Sequence, residues 1–345
     1  MIRDTYYDQE IRSVQINMKK STIGGQAVME GVMMKSPTGM ALCVRKSDGT
    51  IAKEYRPYQS KAKKGSILGF PIIRGVVAFV ESLKLGMQTT TRSVEMLGIE
   101  EEPTKFDKWL EKKFGKAVDK IVMGIAVLLA AIISVGLFVA LPLFLSDIIF
   151  PEDTPYFWVK LTEGGIRLLI FFGYLLLCTT MKDIKRVFMY HGAEHKTIAC
   201  YEAGEELTPE NAAKHKRLHP RCGTNYLFLV MAVSILFFSV VGKIGDVFIL
   251  QFLVRLALVP VVAGFSYEVL MFAAKHENAF TRIIRAPGMA LQYITTKEPT
   301  EDMLEVAIAS FNIALDPESI NEPEEALTEA SEETLPDTER AAEGE

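Results

Sequence analysis

Long uncharged runs of apolar residues are the main pattern of this chain. The longest extends from Ile121 to Leu145, and a helix of that length, at about 1.5 Å per residue, crosses the roughly 30 Å hydrocarbon core of a bilayer. Hydropathy predicts four spans, at about Ile121–Leu145, Ile166–Met181, Tyr226–Val241 and Val247–Ala274. The pattern therefore predicts a mainly α, polytopic membrane protein with about four transmembrane helices.

Ionisable residues inside these runs are few, and each needs a partner because a charge in hydrocarbon is costly. Arg167 lies at one end of the short second span, from which its side chain can reach the headgroups. Arg255 is predicted to meet a lipid phosphate, a carboxylate or a backbone carbonyl, or to fill the helix bundle. Glu268 is a candidate metal ligand or a partner for an arginine.

The distribution of basic residues orients the spans. Residues 1–120 hold twenty-one Lys and Arg, residues 146–165 hold Lys160 against four acids, and residues 182–224 hold eight bases. Cytoplasmic loops of membrane proteins carry the excess of Lys and Arg. The N-terminus, the loop 182–224 and the C-terminus are therefore predicted to face the cytoplasm, which requires an even number of spans.

Outside the spans, an alternating pattern predicts a small N-terminal β-hairpin element. Its strands, Met40–Arg45 and Thr50–Tyr55, flank a turn at Ser47-Asp48-Gly49, and Asp-Gly favours a tight hairpin. The glycine-rich stretch Gly24–Met34 predicts tight turns or close backbone approach rather than regular structure. From Pro71 onward, interrupted apolar positions predict an amphipathic helix lying on the membrane, against the bundle or in an ordinary cytoplasmic domain.

These patterns divide the chain into five segments. We predict a flexible leader (1–21), a cytoplasmic hairpin with an amphipathic helix (22–118), a four-span membrane domain (119–275), a cytoplasmic segment with a short amphipathic helix (276–315) and a disordered acidic tail (316–345). The tail holds twelve acids and one base, so within a total net charge of −5 the residues before the tail carry a net charge of +6. Four widely spaced cysteines are typical of reduced thiols rather than of a disulfide framework.

All five histidines lie in the predicted cytoplasmic segments, and two of them are four residues apart. The sequence His191-Gly-Ala-Glu194-His195 places both imidazoles on one helix face, where they can share a metal ion. The spelling H-x-x-E-H is the inverted zinc-protease arrangement, in which the glutamate serves as general base. The alternative is a helix end with solvated or headgroup-facing histidines.

A second pair in the same loop strengthens the metal hypothesis. His219 and Cys222, three residues apart, offer two further ligands typical of zinc or iron. Four ligands make a closed structural zinc site, whereas a catalytic site keeps a position for water and leaves Cys222 or one histidine as a spectator. His215 lies between two lysines and is expected to be solvated surface, and His276 after the last span is a further candidate.

The chain resembles the bacterial YqhQ family in several sequence blocks. These are Gly24–Met34, His191–Thr197, His219–Thr224 and Arg285–Gly288. The resemblance extends over most of the chain and implies a multi-pass protein of the bacterial cytoplasmic membrane, in a family described as predicted metal-dependent enzymes. It also places Glu30, with the His, Glu and Cys residues named above, inside the signature blocks. Lys35 departs from the family pattern, in which an arginine with its bidentate fork is expected.

Two functions fit these features. In the first, the chain is a divalent-metal hydrolase, with zinc as the expected ion. His191 and His195 hold the ion with His219 or a carboxylate, and Glu194 activates water against a membrane-proximal substrate such as a peptide or a lipid headgroup. Gly192 weighs against this function, because glycine weakens a helix where a metal site needs rigidity.

In the second, the chain is a non-enzymatic membrane factor, a scaffold or helper in membrane-protein assembly or envelope upkeep, with at most a structural metal. Its basic cytoplasmic face supports this function by long-range attraction. The expected partners are membrane lipids, above all anionic lipid, and ribosomal RNA or an acidic protein domain.

Overall fold

The computed structural model describes residues 23–62, 65–98, 118–151, 153–241, 248–276 and 278–321. The predicted leader and most of the predicted acidic tail lie outside these described residues. The start of that tail differs from the expectation of disorder, because Pro317–Asn321 form a 3-10 helix. The described chain is mainly helical with one small sheet, so the predicted fold class is confirmed.

Four antiparallel strands form the sheet in the order β1-β2-β3-β4. They are β1 Gly24–Val28, β2 Gly31–Lys35, β3 Gly39–Arg45 and β4 Ile51–Pro57. The predicted hairpin is confirmed as β3 and β4, with Gly49 in its turn at a φ of 89°. The expectation that Gly24–Met34 lacks regular structure was wrong, because this stretch forms a second hairpin whose tight turn holds Glu30 at a φ of 50°.

The described helices follow the sheet along the chain. They are α1 Ile73–Leu97, α2 Val118–Val135, α3 Leu141–Ile149, α4 Tyr156–Cys178, α5 Lys182–Ala203, α6 Pro209–Lys214, α7 Gly223–Val241, α8 Phe248–Lys275, α9 Ala279–Thr295 and α10 Glu301–Leu315. A π-helical turn, Gly136–Ala140, joins α2 to α3.

Three stretches of helix among the described residues are long and apolar enough to cross a membrane: Gly124–Ile149, Tyr156–Cys178 and Leu253–Lys275. The predicted span Tyr226–Val241 corresponds to α7, whose apolar part, Gly223–Ser239, is shorter. The polytopic membrane fold therefore has three full-length candidate spans and one shorter apolar helix in the described chain.

The second of these spans begins earlier than the sequence predicted. α4 starts at Tyr156 rather than near Ile166. Hydropathy had assigned Lys160 and Glu163 to a loop because both are charged. In the structure they pair with each other inside the helix, so their charges do not end it.

α10 is the centre of a packed unit, the second body, that includes the sheet and α5. Predicted as a short amphipathic helix, it is instead buried on almost all sides from Met303 to Ala314. It packs between α5 and one face of the sheet, to which Val32, Met34, Ala41 and Cys43 belong. Segment 182–224, expected as a loop between spans, is therefore largely helical and belongs to this body.

α1 connects this body to the membrane helices. The predicted amphipathic helix is confirmed, and its Leu85 and Leu97 pack against the other face of the sheet. The same helix crosses α8 at a close contact of two glycines, since a Cβ at Gly75 would lie 2.8 Å from the Gly264 Cα. Of the predicted locations for this helix, the structure supports packing against the bundle.

Candidate metal centre

α5 carries three of the predicted site residues on one face. His191, Glu194 and His195 stand at positions i, i+3 and i+4, which project together from a helix. The helix is buried from Gly192 to Ile198, so Glu194 and His195 are removed from water, while His191 stays partly exposed.

Gly192 has a packing role that the sequence did not reveal. A Cβ at this position would collide with the backbone carbonyl of Lys297. The Lys297 N–H donates to the Phe188 carbonyl of α5 at 2.8 Å, so the segment after α9 lies directly against α5. The helix continues through Gly192, and the absence of a side chain there lets the segment after α9 pass next to His191.

Three donor atoms converge beside α5. The ligand atoms of His191, His195 and Cys222 all lie within 4.8 Å of one another. His191 Nε2 is 3.1 Å from Cys222 Sγ, and the two imidazole centroids are 4.4 Å apart. Cys222 immediately precedes α7, so two separate parts of the chain meet at this point.

Backbone carbonyls fix both imidazole rings of α5. His191 Nδ1 lies 2.9 Å from the Thr295 carbonyl oxygen, and His195 Nδ1 lies 2.5 Å from the Arg217 carbonyl oxygen. A carbonyl oxygen can only accept, so each neutral ring donates from Nδ1 and presents a lone pair at Nε2. A partner of this kind on the distal nitrogen is the usual support of a metal-bound histidine.

Cys222 is nearly buried, and its sulfur accepts from two donors of one residue. The Thr224 hydroxyl lies 3.2 Å from Cys222 Sγ and the Thr224 N–H lies 3.5 Å from it. The thiolate is the form of cysteine that binds a metal ion, and these donors hold the Cys222 sulfur in place beside His191.

His219 lies next to the three donors but outside their immediate group. Its ring centroid is 5.6 Å from that of His195, and its buried Nε2 lacks a hydrogen bond among the described residues, with Glu202 Oε2 3.7 Å away. Gln292 of α9 holds the backbone on both sides, accepting from the His219 N–H at 2.8 Å and donating to its carbonyl at 2.9 Å. The imidazole is thus held beside His195.

Glu194 is the buried acid of the site. The Gly25 N–H of β1 donates to its carboxylate, and a Cβ at Gly25 would lie 2.9 Å from Glu194 Cδ. The predicted close backbone approach in the glycine-rich stretch is therefore found at this glycine. Burial raises the pKa of Glu194, an effect that His191 and His219 partly oppose, and Glu194 Oε2 has no hydrogen-bond partner among the described residues.

Burial also favours the neutral form of the His195 imidazole. It lowers the pKa of His195 below the usual value, and the nearby Cys222 opposes this shift only in part. A neutral imidazole is the form that binds a metal ion. His195 Nε2 is buried without a hydrogen-bond partner in the described chain.

These observations fit a resident divalent cation. Buried polar atoms normally have partners, and here His195 Nε2, His219 Nε2 and Glu194 Oε2 all lack one in the described part of the chain. A cation held by two imidazoles and a thiolate, a ligand set that zinc and iron accept, would give one of these atoms, His195 Nε2, its partner. His191, His195 and Cys222 are the residues that would hold it.

Two acids that the sequence singled out have other partners. Glu30 pairs with Arg186 and accepts from the Tyr190 hydroxyl at 3.3 Å. Glu268 pairs with Arg74 at 2.5 Å, so of its two predicted roles the structure places it with an arginine. Neither carboxylate belongs to the group of converging donors.

Two further candidates also lie elsewhere. Arg255 lies 3.1 Å from the carboxylate of Glu163, which is one of the partners predicted for it. His276 is exposed, and its Nδ1 lies 2.9 Å from the Phe272 carbonyl of its own helix. The candidate centre therefore consists of the α5 residues with Cys222 and His219.

His215 differs from the expectation of solvated surface. It is partly buried, and its Nε2 lies 3.1 Å from Glu205 Oε2. Together with Cys200, these two residues form a second group of potential ligands within 4.8 Å. Burial raises the pKa of the Cys200 thiol to about 11, which disfavours the thiolate that a metal requires, so this group is the weaker candidate.

Several residues that shape the site carry no sequence signal for it. The carbonyls of Thr295 and Arg217 orient the two rings, and a backbone carbonyl is present at every residue. Gln292 holds His219 from a helix more than seventy residues further along the chain. Gly25 was detectable as part of a glycine pair, but its contact with Glu194 depends on how the sheet packs on α5.

Comparison with known proteins identifies the family. The chain matches the profile of the family described as protein of unknown function (DUF1385) over residues 70–317. It is similar to the "Uncharacterized protein YqhQ" of Bacillus subtilis (strain 168), with 33% identity over 303 residues that cover 87% of this chain and 94% of that relative. No solved structure matches the chain. The chain therefore belongs to the DUF1385 family, and the resemblance to YqhQ is confirmed.

Proposed function

We propose that this chain is a membrane-embedded, metal-dependent hydrolase whose ion is bound by His191, His195 and Cys222. The observation that carries the proposal is the convergence of three donor atoms within 4.8 Å, next to a buried carboxylate with an unpartnered oxygen. Two imidazoles and one thiolate suit zinc, and three protein ligands leave a fourth position for water or substrate. This arrangement is typical of a catalytic rather than a structural zinc site.

The chain's own residues would move the protons of a hydrolysis. When bound, the metal supplies Lewis acidity, which acidifies a water and polarises the substrate oxygen. Glu194 takes a proton at its Oε2 and delivers it to the leaving group, because this oxygen is buried and has no hydrogen-bond partner in the described chain. His219 lies beside His195 and is placed to donate a hydrogen bond to a substrate oxygen.

The substrate in this proposal is membrane-proximal. α5 begins four residues after α4 ends, so the site lies close to the end of a candidate span. The excess of Lys and Arg in residues 1–120 and 182–224 supports a cytoplasmic location for that end in a bacterial cytoplasmic membrane. A scissile bond in a membrane-anchored peptide or in a lipid headgroup would then lie within reach of the partly exposed His191.

Elemental analysis of the full chain, purified in detergent, tests the metal. We expect about one zinc or iron per chain in the wild type and a clear loss in His195→Ala. His276→Ala is the matched control, because this exposed histidine lies outside the donor group and its variant should keep the metal. A wild type without stoichiometric metal contradicts the proposal.

A second variant tests catalysis separately from binding. Glu194→Gln removes the base but no proposed ligand, so it should keep the metal and fail to rescue a strain whose own copy of the gene is deleted. Full rescue by a metal-loaded Glu194→Gln protein would contradict the hydrolase.

One observation favours a non-enzymatic membrane factor as the second candidate. The buried Nε2 of His219 has no hydrogen bond in the described chain, so this imidazole could serve as a fourth ligand and close the site. The metal would then be structural, and the basic face would bind anionic lipid, ribosomal RNA or an acidic protein. Rescue by Glu194→Gln together with loss of metal in His219→Ala is the result expected for this candidate.

A further inference from the structure

The candidate spans enclose a second polar cluster, which the metal centre does not use. Lys160, Glu163 and Arg167 lie on successive turns of α4, and Arg255 faces them from α8. Glu163 pairs with Lys160, while its Oε1 lies 2.8 Å from Arg167 Nη2 and 3.1 Å from Arg255 Nη1. The side chain of Glu163 is only 4% exposed. A single buried carboxylate thus serves three cations.

The cations of this cluster outnumber its acids. Besides Glu163, Asp147 of α3 is near enough to Lys160 to interact with it, which leaves three cations against two acids among the described residues. Arg255 Nη2 is buried and has no hydrogen-bond partner in the described chain. An uncompensated charge at this depth is costly, so one further anion would complete the cluster.

A cavity of about 830 Å³ is lined by Arg255 and the other three charged residues of the cluster. The four charged residues line it together with apolar side chains from α2, α4, α7 and α8, including Ile133, Phe171, Leu227 and Val259. Ligand sites in proteins measure roughly 300–1,000 Å³, so the cavity is large enough for part of a lipid-sized molecule. Its walls suit a molecule with an anionic head and a long apolar chain.

The π-helical turn between α2 and α3 helps to orient the charges. Arg167 Nε donates to the carbonyl of Phe138, within this turn, at 2.8 Å. A π-turn disturbs the regular ladder of helix hydrogen bonds and is frequent at functional sites. On the other side, the Arg255 guanidinium lies 5.9 Å from the ring centroid of Phe238. Both arginines are therefore fixed at the cavity wall.

We infer that this cavity binds an anionic phospholipid, with the phosphate on Arg255 and one acyl chain along the apolar wall. The phosphate accepts from the Arg255 guanidinium, whose residue lines the cavity, and balances the excess positive charge of the cluster. The site is separate from the metal centre, because Lys160 is eighteen residues, or roughly 27 Å of helix, from the end of α4 that leads to α5. The inference is thus independent of the proposed hydrolase.

Native mass spectrometry of the full chain in detergent tests this binding. Three probes are added separately: phosphatidylglycerol, phosphatidylcholine with the same chains, and inorganic phosphate. We expect the wild type to retain one phosphatidylglycerol with at least about tenfold preference over phosphatidylcholine, since the choline cation adds positive charge to a cluster that already has an excess of it. Equal retention of the two lipids overturns the inference, and so does inorganic phosphate that displaces the bound phosphatidylglycerol at equal concentration.

Matched variants assign the retention to the cavity. Arg255→Met removes the phosphate partner, and Ala130→Trp places a ring in the cavity from an exposed lining position; both should lower retention about tenfold. Arg282→Met removes an exposed charge elsewhere, and Ala131→Trp changes the neighbouring exposed alanine outside the lining; both should bind as the wild type does. Wild-type retention in a folded Arg255→Met or Ala130→Trp protein overturns the inference. If Arg255→Met does not fold, the two tryptophan variants decide.

Discussion

The polar cluster on α5 and the polar cluster between α4 and α8 differ in which hydrogen-bonding groups of their side chains are left without a partner in the described chain. On α5, the uncharged His195 presents a free lone pair, and Glu194 keeps an oxygen without a partner in the described chain. Between α4 and α8, charged groups crowd around Glu163, and Arg255 keeps a free N–H. Free lone pairs suit a cation and free N–H groups suit an anion, so the two clusters of one chain favour ligands of opposite charge.

The largest effect is expected where a shared carboxylate is removed. Glu163→Gln leaves three cations without their common acid, and breaking a buried ion pair from one side costs about 3–5 kcal/mol. Glu194→Gln should change the stability of the metal-free protein by less than about 1 kcal/mol, because Oε2 has no partner to lose. Thermal unfolding in detergent measures both. Equal losses of unfolding free energy in the two variants would mean that Glu163 and Glu194 depend on their partners to the same extent.

Removal of a ligand should have the next largest effect. Cys222→Ser is expected to weaken zinc binding by at least about 100-fold, measured by competition with a chelator, because the thiolate is one of three converging donors. Cys200→Ser is the matched control and should bind zinc as the wild type does, since its group is the weaker candidate. The reverse result would move the metal centre to Cys200, Glu205 and His215.

A smaller loss is expected at the glycine that brings α9 to the site. Gly192→Ala places a methyl group against the Lys297 carbonyl, and overpacking of this kind costs about 2 kcal/mol in unfolding free energy. Gly173→Ala, a helical glycine with open space around it, should be neutral or slightly stabilising. If both variants melt at the same temperature, α5 does not need this close approach.

The smallest effect concerns the support of the thiolate. Thr224→Val removes the hydroxyl that donates to Cys222 Sγ at 3.2 Å, and loss of such a neighbour weakens metal binding by about tenfold. Thr224→Ser keeps the hydroxyl and should bind zinc as the wild type does. A Thr224→Val protein with unchanged zinc affinity would mean that the sulfur does not need this donor.

Local patterns account for the parts of this molecule that the sequence predicted. Asp48-Gly49 specifies the β3–β4 turn by itself, and helical spacing alone brings His191 and His195 to one face. The earlier hairpin was missed because its turn uses Glu30 at positive φ, a conformation that a residue other than glycine rarely adopts.

Long-range pairing accounts for most of what the sequence could not predict. The start of α4 was misplaced because Glu163 is neutralised inside the fold, by Lys160 and Arg167 of its own helix and by Arg255, ninety-two residues later. α10 was predicted as amphipathic although apolar residues occupy nearly every face of it from Met303 to Ala314; that the sheet and α5 are the elements that cover it depends on long-range packing. The rings of His191 and His195 are likewise oriented by backbone carbonyls, which no residue type specifies.

The contact between Gly25 and Glu194 has a practical consequence for work on fragments. The family profile begins at residue 70, after all four strands. A fragment that starts there would retain every proposed metal ligand. It would nevertheless admit water to Glu194 and uncover the side of α10 on which the Ser310 hydroxyl now donates to the Ala41 carbonyl of β3 at 3.1 Å. The part of the chain by which the family is recognised is therefore smaller than the part that must fold together.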